Sequence, residues 1–449
     1  MGELLMNKFY FHHNPKKLPE FDEQCHPVQL YDLHKWNSGK HSIIARKARD
    51  TIRDLGCKID NDAFDFFTIA MSVTAADSFC DRSRASDNAW ARDFELYIPL
   101  SNPELWIPVK NKIEKALGYL TGDQWRLNFS EGGIKAPLPK RTRKSKLRRK
   151  TFQGLDSVCL FSGGLDSAVG AIDLINNGNS SNPLLISHAY KGDASKQNSV
   201  EQVLNGKYGR LSFNADPHIL NDLSGRTDIT MRGRSFNFLA MAIIGSSVVK
   251  KVNGVDSTKV FIPENGYISL NPPLTSRRIG SLSTRTTHPH FLSMMQEIFD
   301  IVGFDVVLEN PYQFKTKGEM LKECKDQTAL KIAIPNTVSC SNWHRKGIQC
   351  GRCVPCAIRR ASILEAGFSK DANYDLQRLS TVLKLDDQKD DILALSSAII
   401  KLKNTTSNRR WVRQSGPLPL DTNSRDGLVK VFERGLREVE KFLKSESVI

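Results

Sequence analysis

The residues of this chain best suited to phosphate chemistry stand between Leu160 and Ser167, where the sequence reads LFSGGLDS. An apolar, β-prone segment, 158–161, comes before the two glycines, and a helical pattern, 166–177, comes after them. A glycine-rich turn between a strand and a helix presents backbone N–H groups at a helix N-terminus, where a polyphosphate can bind. The loop lacks the Gly-Lys-Ser/Thr ending of a Walker P-loop, so its residues disfavour an NTPase of that class.

Each polar or flexible residue of this loop has a candidate role in binding a nucleotide. Gly163 and Gly164 can adopt positive φ and let a ligand approach the backbone closely. Ser162 and Ser167 supply hydroxyl donors, and Asp166 can cap the helix or orient a hydrated Mg²⁺ ion. The residues also leave open a tight strand-to-helix turn with a capping aspartate and no ligand.

Four cysteines are spaced closely enough to bind one metal ion. Their pattern is C-x9-C-x2-C-x2-C, formed by Cys340, Cys350, Cys353 and Cys356. Four thiolates at tetrahedral distance favour a closed, structural Zn²⁺ site, and a disulfide, a redox C-x-x-C motif or an iron–sulfur cluster are the alternatives. The other cysteines stand singly and are expected to be free core thiols: Cys25, Cys57, Cys80, Cys159 and Cys324.

Length and composition are those of a soluble globular protein with two or three domains, since the chain has 449 residues, 40% hydrophobic and 25% charged. The longest apolar run, Phe236 to Val249, is interrupted by polar residues and predicts a buried helix rather than a membrane span. The N-terminal residues lack the basic and long apolar regions of a signal peptide. We therefore expect a cytoplasmic protein without a membrane partner.

The positive charge of the chain is unevenly distributed. The net charge is +15, and the run Lys140 to Lys150, KRTRKSKLRRK, supplies eight positive charges. Such a run is typical of a nucleic-acid contact and equally of a solvated interdomain linker. No aromatic residue interleaves with the charges, so base stacking is not expected from this segment.

Strands and helices alternate through the middle of the chain. Strands are predicted at 156–161, 183–189, 258–262 and 303–308. Helices are predicted near 166–177, 195–206, 234–249, 288–302 and 316–326. This alternation predicts an α/β fold with a doubly wound parallel sheet, whose ligands bind at the carboxyl ends of the strands.

Both ends of the chain show regular patterns of their own. Before residue 138 we expect helices around 66–73 and 103–120 and strands at 94–100 and near Trp125. After residue 370 we expect helices with two apolar stripes. One is formed by Leu393, Leu395, Ile399, Ile400 and Leu402, and the other by Val429, Val431, Phe432, Leu436, Val439 and Phe442. The predicted units are an N-terminal α/β extension at 1–138, a basic linker at 139–153, a central domain at 154–369 and a C-terminal helical extension at 370–449.

The loop at Ser162 to Ser167 resembles the PP-loop of ATP pyrophosphatases, which bind ATP by its pyrophosphate and activate a substrate oxygen as an adenylate. Further resembling segments are RGRSFNFLA at Arg232 to Ala240, KTKGEML at Lys315 to Leu321, and the four cysteines. In combination, residues 155–370 are similar to the QueC family of 7-cyano-7-deazaguanine synthases.

This resemblance implies a PP-loop domain of the adenine nucleotide α-hydrolase type with a zinc knuckle, and ATP, Mg²⁺ and structural Zn²⁺ as cofactors. The implied reaction is adenylation of a small 7-deazaguanine-type carboxylate, forming AMP and pyrophosphate, followed by capture with ammonia or a protein amine. Such an enzyme is a ligase that forms carbon–nitrogen bonds. The residues implied to bind ATP are Ser162, Gly163, Gly164, Leu165, Asp166, Ser167 and His188. The residues implied to act in catalysis are Asp166, Ser167 and Lys317.

Other polar residues are candidates for the substrate site. His188 and Tyr190 follow a predicted strand and can contact adenine or the deazapurine, or pack on the next helix. Arg234 at a helix start opposes the helix dipole, which an anionic ligand would offset. Lys317 can stabilise the leaving pyrophosphate, or be a solvated residue of a capping turn. The predicted substrate-binding residues are Tyr190, Arg234, Glu264, Asn265, Arg278, Arg285, Thr287 and His288.

The extensions at both ends distinguish this chain from a stand-alone synthase. In them it resembles the longer QueC-like proteins of bacterial anti-phage defence operons, of the QatC type, which implies a defence role and a protein partner from the same operon. Two other interpretations stay open. One is a PP-loop enzyme that modifies RNA, such as a tRNA thiolase; the other is a non-catalytic ATP-binding defence component.

Overall fold

Two five-stranded parallel sheets form the centre of the protein. The computed structural model describes residues 6–22, 25–82, 91–176, 181–188, 193–221, 232–275, 285–340, 342–343, 347–383, 389–405 and 408–449. In these ranges, all strand pairs of both sheets are parallel. The predicted α/β, doubly wound architecture is confirmed.

The first sheet is built from the N-terminal part of the chain. Its strands are β1 (Met6–His12), β2 (Cys25–Leu30), β3 (Ser42–Ile44), β4 (Asp93–Pro99) and β5 (Gln124–Ser130). Its helices are α1 (Ala48–Arg53), α2 (Asn61–Phe79), α3 (Pro103–Trp106) and α4 (Lys110–Thr121). The strand order is β3-β2-β1-β4-β5. The alternating burial of β4 and β5 buries Phe94 and Leu127 and leaves Glu95 and Arg126 half-exposed, as period-two patterning requires.

The second sheet has the same pattern of strand order. Its strands are β6 (Ser157–Leu160), β7 (Pro183–His188), β8 (Gly209–Phe213), β9 (Thr258–Phe261) and β10 (Val306–Glu309), in the order β10-β9-β6-β7-β8. The helices along this region are α5 (Arg143–Thr151), α6 (Leu165–Ile175), α7 (Asp193–Glu201), α8 (Arg234–Asn253), α9 (Gly266–Leu270), α10 (Pro289–Val302), α11 (Lys317–Lys322) and α12 (Gln327–Ala333). The helix predicted at 316–326 is shorter than expected: α11 ends at Lys322, and the next helix, with Asp326 as its N-cap, begins only at Gln327.

Helix α8 packs between the two sheets and joins them through one apolar core. Phe236 of α8 contacts Phe66 of α2 edge-on, with ring centres 5.2 Å apart. On the other side, a Cβ at Gly245 would lie 2.7 Å from Ile186 Cδ1, so only glycine allows this approach to β7. By length and composition α8 could cross a bilayer, but most of it is buried inside the protein, as expected for a core helix.

The C-terminal part of the described chain is helical, as predicted. Its helices are α13 (Val354–Glu365), α14 (Leu379–Val382), α15 (Asp390–Asn404), α16 (Arg409–Val412) and α17 (Thr422–Ser445). The predicted apolar stripe of α15 is wrong in part. Leu395 and Ile399 are buried in a core shared with α13 and α17, whereas Leu393 and Ile400 are 44% and 59% exposed, since they lie on the opposite side of the helix.

The basic run forms helix α5, which begins with a capping box between Thr142 and Ser145. Lys140 Nζ lies 2.9 Å from Asp54 Oδ1, and the Ser145 carbonyl would lie 2.3 Å from a Cβ at Gly56. The basic segment is therefore docked against the end of α1, with most of its cationic side chains exposed. A contact with nucleic acid and the domain limits at 138 and 153 stay predictions.

Candidate functional site

The glycine-rich loop connects β6 to α6 and is closed by its own hydroxyl groups. Gly163 has φ of +83° and Gly164 is the N-cap of α6, as the predicted strand–turn–helix requires. Ser162 Oγ accepts a hydrogen bond from Gly164 N at 3.3 Å and donates to Ser167 Oγ at 3.2 Å. Ser167 Oγ in turn donates to the Gly164 carbonyl at 3.0 Å. These three hydrogen bonds hold the loop in its turn conformation.

Gln197 of α7 fixes the position of the loop and was not predicted. Its Nε2 donates to the Ser162 carbonyl at 3.3 Å and to the His188 carbonyl at 3.1 Å. Its side chain is fully buried, and its Cγ would lie 3.0 Å from a Cβ at Gly163. A single glutamine in a polar helix carries no sequence signal of this role.

Asp166 lies in the first turn of α6, at the centre of a cluster of polar side chains. Its Oδ1 lies 2.6 Å from Lys317 Nζ, and both side chains are at most 7% exposed. Its Oδ2 accepts hydrogen bonds from Asn265 N at 3.1 Å and from Asn265 Nδ2 at 2.7 Å. Because Asp166 follows β6 and Asn265 follows β9, these contacts cross the point where the strand order of the sheet reverses. Doubly wound sheets bind their ligands at this point.

The carboxyl groups of Asp166 and Glu264 lie in the same cluster, and their pKa values are shifted in opposite directions. Burial alone raises the pKa of Asp166, but the Lys317 ammonium and hydrogen bonds from Glu264 and Asn265 outweigh it and hold the pKa well below its ordinary value. Burial and the negative charge of Asp166 raise the pKa of Glu264 well above its ordinary value. Of the two groups, Asp166 is therefore the one that favours the carboxylate form and Glu264 the one that favours the acid form.

Lys317 reaches this cluster from the first turn of α11. A capping box fixes that turn: Thr316 Oγ1 accepts from Glu319 N at 3.1 Å, and Glu319 Oε2 accepts from Thr316 N at 2.9 Å. The capping turn considered in the sequence analysis is therefore present, but its lysine is 4% exposed rather than solvated. Lys317 thus lies beside the first turn of α6, and its contact with a phosphate stays a prediction.

Arg234 and His188 lie together beyond the carboxyl end of β7. The Arg234 guanidinium lies 5.5 Å from the Phe238 ring centre, and that ring meets His188 edge-on at 5.8 Å. His188 Nε2 accepts a hydrogen bond from Ala215 N at 3.3 Å. Burial, followed by the charge of Arg234, lowers the pKa of His188 to about 3. A neutral imidazole and a guanidinium thus share one corner of the site.

Three other predicted substrate residues, Arg285, Thr287 and His288, have contacts within the protein. Arg285 Nη1 donates to the Tyr119 carbonyl at 3.1 Å, and its guanidinium lies 4.6 Å from that ring centre. The Thr287 carbonyl accepts from Ser269 Oγ at 3.0 Å. His288 is fully buried and is the N-cap of α10, and burial and neighbouring cationic groups lower its pKa to about 3. Contact of these three side chains with a substrate stays a prediction.

The remaining predicted substrate residues divide into two groups. Glu264 and Asn265 contact Asp166, as described above, and Asn265 Oδ1 also accepts from Ile268 N at 3.0 Å to cap α9. Their role visible in the structure is to hold the loop aspartate. Tyr190 and Arg278 lie outside the described residues.

The four predicted metal ligands converge on one point. Their Sγ atoms all lie within 4.8 Å of one another and all four side chains are buried. Two of the Sγ–Sγ distances are 3.9 Å, close to the roughly 3.8 Å edge of a ZnS₄ tetrahedron with bonds of about 2.3 Å. The backbone N–H groups of Cys350 and Cys353 donate to neighbouring Sγ atoms at 3.3 Å, which suits thiolates. The donor set fits a metal ion such as Zn²⁺, with no ligand position left open.

The segment that leads into the cysteines is tied to the loop. Val338 N donates to the Gly163 carbonyl at 3.2 Å. Arg359, which is fully buried, donates to Thr337 Oγ1 at 2.8 Å and to Asp371 Oδ1 at 2.7 Å. Segment 337–340 would therefore be held at one end by Arg359 and at the other by the metal ion. Its Val338 is the residue that donates to Gly163. Arg359 was missed in the sequence, because its partners are distant in the chain.

Comparisons with known proteins agree with this geometry over part of the chain. The family described as Queuosine biosynthesis protein QueC matches residues 286–367, which include Lys317 and the four cysteines. The chain is also similar to a 7-cyano-7-deazaguanine synthase from Picrophilus torridus, with 26% identity over 242 residues, or 49% of this chain and 91% of that protein. The loop, the cysteine cluster and these matches together support a QueC-like PP-loop protein.

Proposed function

We propose that this protein adenylates a 7-deazaguanine-type carboxylate with ATP and passes the acyl group to an amine. The observation that carries the proposal is the buried ion pair of Lys317 with Asp166, at the ligand-binding end of a doubly wound sheet and beside a glycine-rich loop. The QueC-like character of the chain supports ATP-dependent chemistry on a deazaguanine-type acid. The identity of the acid and of the amine is part of the proposal.

In the first step, a carboxylate oxygen of the acid attacks the α-phosphorus of ATP. The bond from that phosphorus to the oxygen bridging to the β-phosphorus breaks, and pyrophosphate leaves with the bonding electron pair. The backbone N–H groups of the loop and the hydroxyl of Ser162 would hold the pyrophosphate. Lys317 would stabilise the charge that develops on it, and Asp166 keeps that ammonium in place. Mg²⁺ bound to ATP would supply further charge neutralisation, for which Asp166 offers a carboxylate oxygen.

In the second step, an amine nitrogen attacks the carbonyl carbon of the acyl-adenylate. The bond from that carbon to the phosphate oxygen breaks, AMP leaves, and the nitrogen loses one proton. Ammonia would yield an amide, whose oxygen a second ATP could activate on the way to a nitrile. A protein amine would instead yield a conjugate, and a partner from the same operon would then contact the extensions.

Pyrophosphate exchange tests the first step without knowledge of the amine. The protein is incubated with ATP, Mg²⁺, ³²P-pyrophosphate and 7-carboxy-7-deazaguanine, and label in ATP is measured. We expect exchange that depends on the acid and falls at least roughly 100-fold in Lys317→Met, since an electrostatic contact to the transition state is lost. Lys315→Met is the matched control, because Lys315 lies two residues away and pairs with Glu323 instead. Exchange that is independent of the acid, or equal in both variants, contradicts the proposal.

RNA modification is the second candidate, and the exposed cations of α5 favour it. A thiolase would need a reactive cysteine outside the metal cluster. The other five cysteines are buried or half-buried, and burial raises the pKa of Cys57 to about 11 and that of Cys25 above its ordinary value. If RNA is the substrate, tRNA binding should weaken with salt and with replacement of the α5 cations, while pyrophosphate exchange with the deazaguanine acid should be absent.

A role in anti-phage defence is the most specific part of the proposal, and its only support is the presence of the two extensions. It predicts that the intact operon lowers phage plaque numbers and that Lys317→Met within it abolishes the protection. Protection by the Lys317→Met operon equal to that of the wild type would instead favour a non-catalytic ATP-binding component.

A further inference from the structure

The C-terminal helix α17 contacts both members of the capping box that carries Lys317. The Glu438 carboxylate accepts a hydrogen bond from Thr316 Oγ1 and another from Gly318 N, the latter at 3.2 Å. Glu438 is 7% exposed, so these hydrogen bonds compete little with water. Glu438, a residue of the C-terminal extension, therefore accepts hydrogen bonds from the residues on both sides of Lys317.

A second side chain of α17, Arg434, binds Glu319, the other member of the capping box. Arg434 Nε lies 2.5 Å from Glu319 Oε1, and Arg434 Nη2 lies 3.0 Å from Glu319 Oε2. The same Nη2 donates to the Phe314 carbonyl at 2.8 Å, just before α11. A two-pronged guanidinium–carboxylate contact fixes direction as well as distance. The turn that aims Lys317 is therefore held at Thr316 and at Glu319 by one long helix.

Close packing leaves this contact little freedom. A Cβ at Gly318 would lie 2.7 Å from Glu438 Oε1 and 2.9 Å from Glu365 Cγ of α13. Any larger residue at 318 must displace the Glu438 carboxylate. The glycine, which otherwise costs helix stability, allows α11 and α17 to approach this closely.

We propose that α17 positions Lys317 toward Asp166, with Glu438 and Arg434 as positioning residues, so that the C-terminal extension is a working part of the adenylation site. The proposal rests on the proposed function for the role of Lys317, and the geometric part of it is testable separately.

The ionisation of Glu438 supports this assignment. Burial, followed by the charges of Glu365 and Glu319, outweighs the two hydrogen bonds and raises the pKa of Glu438 to about 7. The charged or titratable groups that face it are Glu319, Glu365, Tyr267, Arg434 and Lys441. As a carboxylate, Glu438 accepts from both Thr316 and Gly318; as an acid, its own proton competes with that of the Thr316 hydroxyl. Ionisation above about pH 7 therefore strengthens the hydrogen bonds of Glu438 to α11, although burying the charge costs overall stability.

The first measurement is the labelling rate of the Lys317 amine by isotope-coded reductive methylation, read by mass spectrometry. Wild-type Lys317 should react slowly because it is buried and ion-paired. Glu438→Ala and Gly318→Ala should each raise its rate at least roughly tenfold, while the unfolding midpoint stays within a few degrees. Alanine ordinarily favours a helix over glycine, so an effect of Gly318→Ala must come from displacement of Glu438 or Glu365, and agreement with Glu438→Ala assigns it to Glu438. Lys444→Ala is the control, since that exposed lysine of α17 pairs only with Glu440 in the described contacts.

The second measurement is acid-dependent pyrophosphate exchange by the same variants. Glu438→Ala should lower kcat roughly 10- to 100-fold with KM for ATP nearly unchanged, as expected when a reacting group is misplaced. Glu438→Gln should retain most activity but lose the rise in kcat near pH 7. Unchanged Lys317 labelling in both Glu438→Ala and Gly318→Ala would overturn the positioning role. Raised labelling in those variants, combined with no exchange by the wild type, would keep the positioning role and refute the proposed function instead.

Discussion

Replacing Asp166 by asparagine should expose how strongly the ion pair with Lys317 couples the loop to α11. The two charged atoms are 2.6 Å apart, and the side chains are 7% and 5% exposed. Asp166→Asn leaves the ammonium buried without its counter-charge, which costs roughly 3–5 kcal/mol for a pair of this kind. The asparagine oxygen can still accept a hydrogen bond from Asn265, so the loss is chiefly electrostatic.

Native-state hydrogen exchange of the α6 and α11 amides measures this loss locally, so the whole chain need not unfold in one transition. The set comprises Asp166→Asn, Lys317→Met and the double variant. We expect the double variant to be more stable than the sum of the two single losses predicts, by roughly 1–3 kcal/mol, because it leaves no unpaired buried charge. Additive losses within about 0.5 kcal/mol would refute the pairing, and with it the account of how Lys317 is held.

Three further outcomes follow from other parts of the molecule. Since burial raises the pKa of Glu438 from 4.5 to about 7, the acid form is favoured on folding, and the stability it contributes is complete below pH 4.5 and lost as the pH rises through 7. The free energy of unfolding of the wild type, measured with urea, should therefore fall relative to that of Glu438→Gln between pH 5 and 8, by up to roughly 3 kcal/mol; parallel curves would contradict this. Arg92→Met, which strips a fully buried guanidinium from two buried aspartates, should cost roughly 3–5 kcal/mol, whereas the control Arg126→Met, in a half-exposed pair, should cost under about 1 kcal/mol. If Arg92→Met and Arg126→Met shift the urea midpoint equally, the buried ion pairs of Arg92 do not stabilise the first sheet more than a half-exposed pair does. Elemental analysis should find zinc in the wild type, and Cys356→Ser should lose it and raise hydrogen exchange in the loop at 162–167. Iron in the wild type, or zinc retained by the variant, would contradict the metal assignment.

Local sequence signals predicted the parts of the site that local chemistry dictates. The SGGLDS loop, the C-x2-C steps and the strand–helix alternation each depend on neighbours in the chain, so their geometry followed from residue type and spacing. The strand β8 was missed because it is short: its sequence, GRLSF, has five residues. Of the first three strands, which were also missed, β3 has three residues, whereas β1 and β2 have seven and six residues of mixed polarity.

Long-range contacts decided the rest of the site. Gln197, Arg359 and Glu438 hold the loop, the cysteine segment and α11 from positions 35, 22 and 122 residues away from their partners. No pattern in a single sequence reports such pairings, because each depends on how separate elements pack. Glu264 and Asn265 illustrate the same limit: the sequence marked them as substrate-binding residues, which stays a prediction, but it could not show their contact with Asp166.

The central claim, that the substrate carboxylate attacks the α-phosphorus of ATP, is tested most directly by following an oxygen atom of that carboxylate into AMP. The protein is incubated with ATP, Mg²⁺, an amine source and 7-carboxy-7-deazaguanine whose carboxylate carries ¹⁸O, and the AMP formed is analysed by mass spectrometry. If the carboxylate attacks the α-phosphorus, cleavage of the acyl-adenylate by the amine leaves one ¹⁸O atom in AMP, and this label is absent with Lys317→Met. Unlabelled AMP, or ADP and phosphate as the products, would contradict carboxylate adenylation at this site.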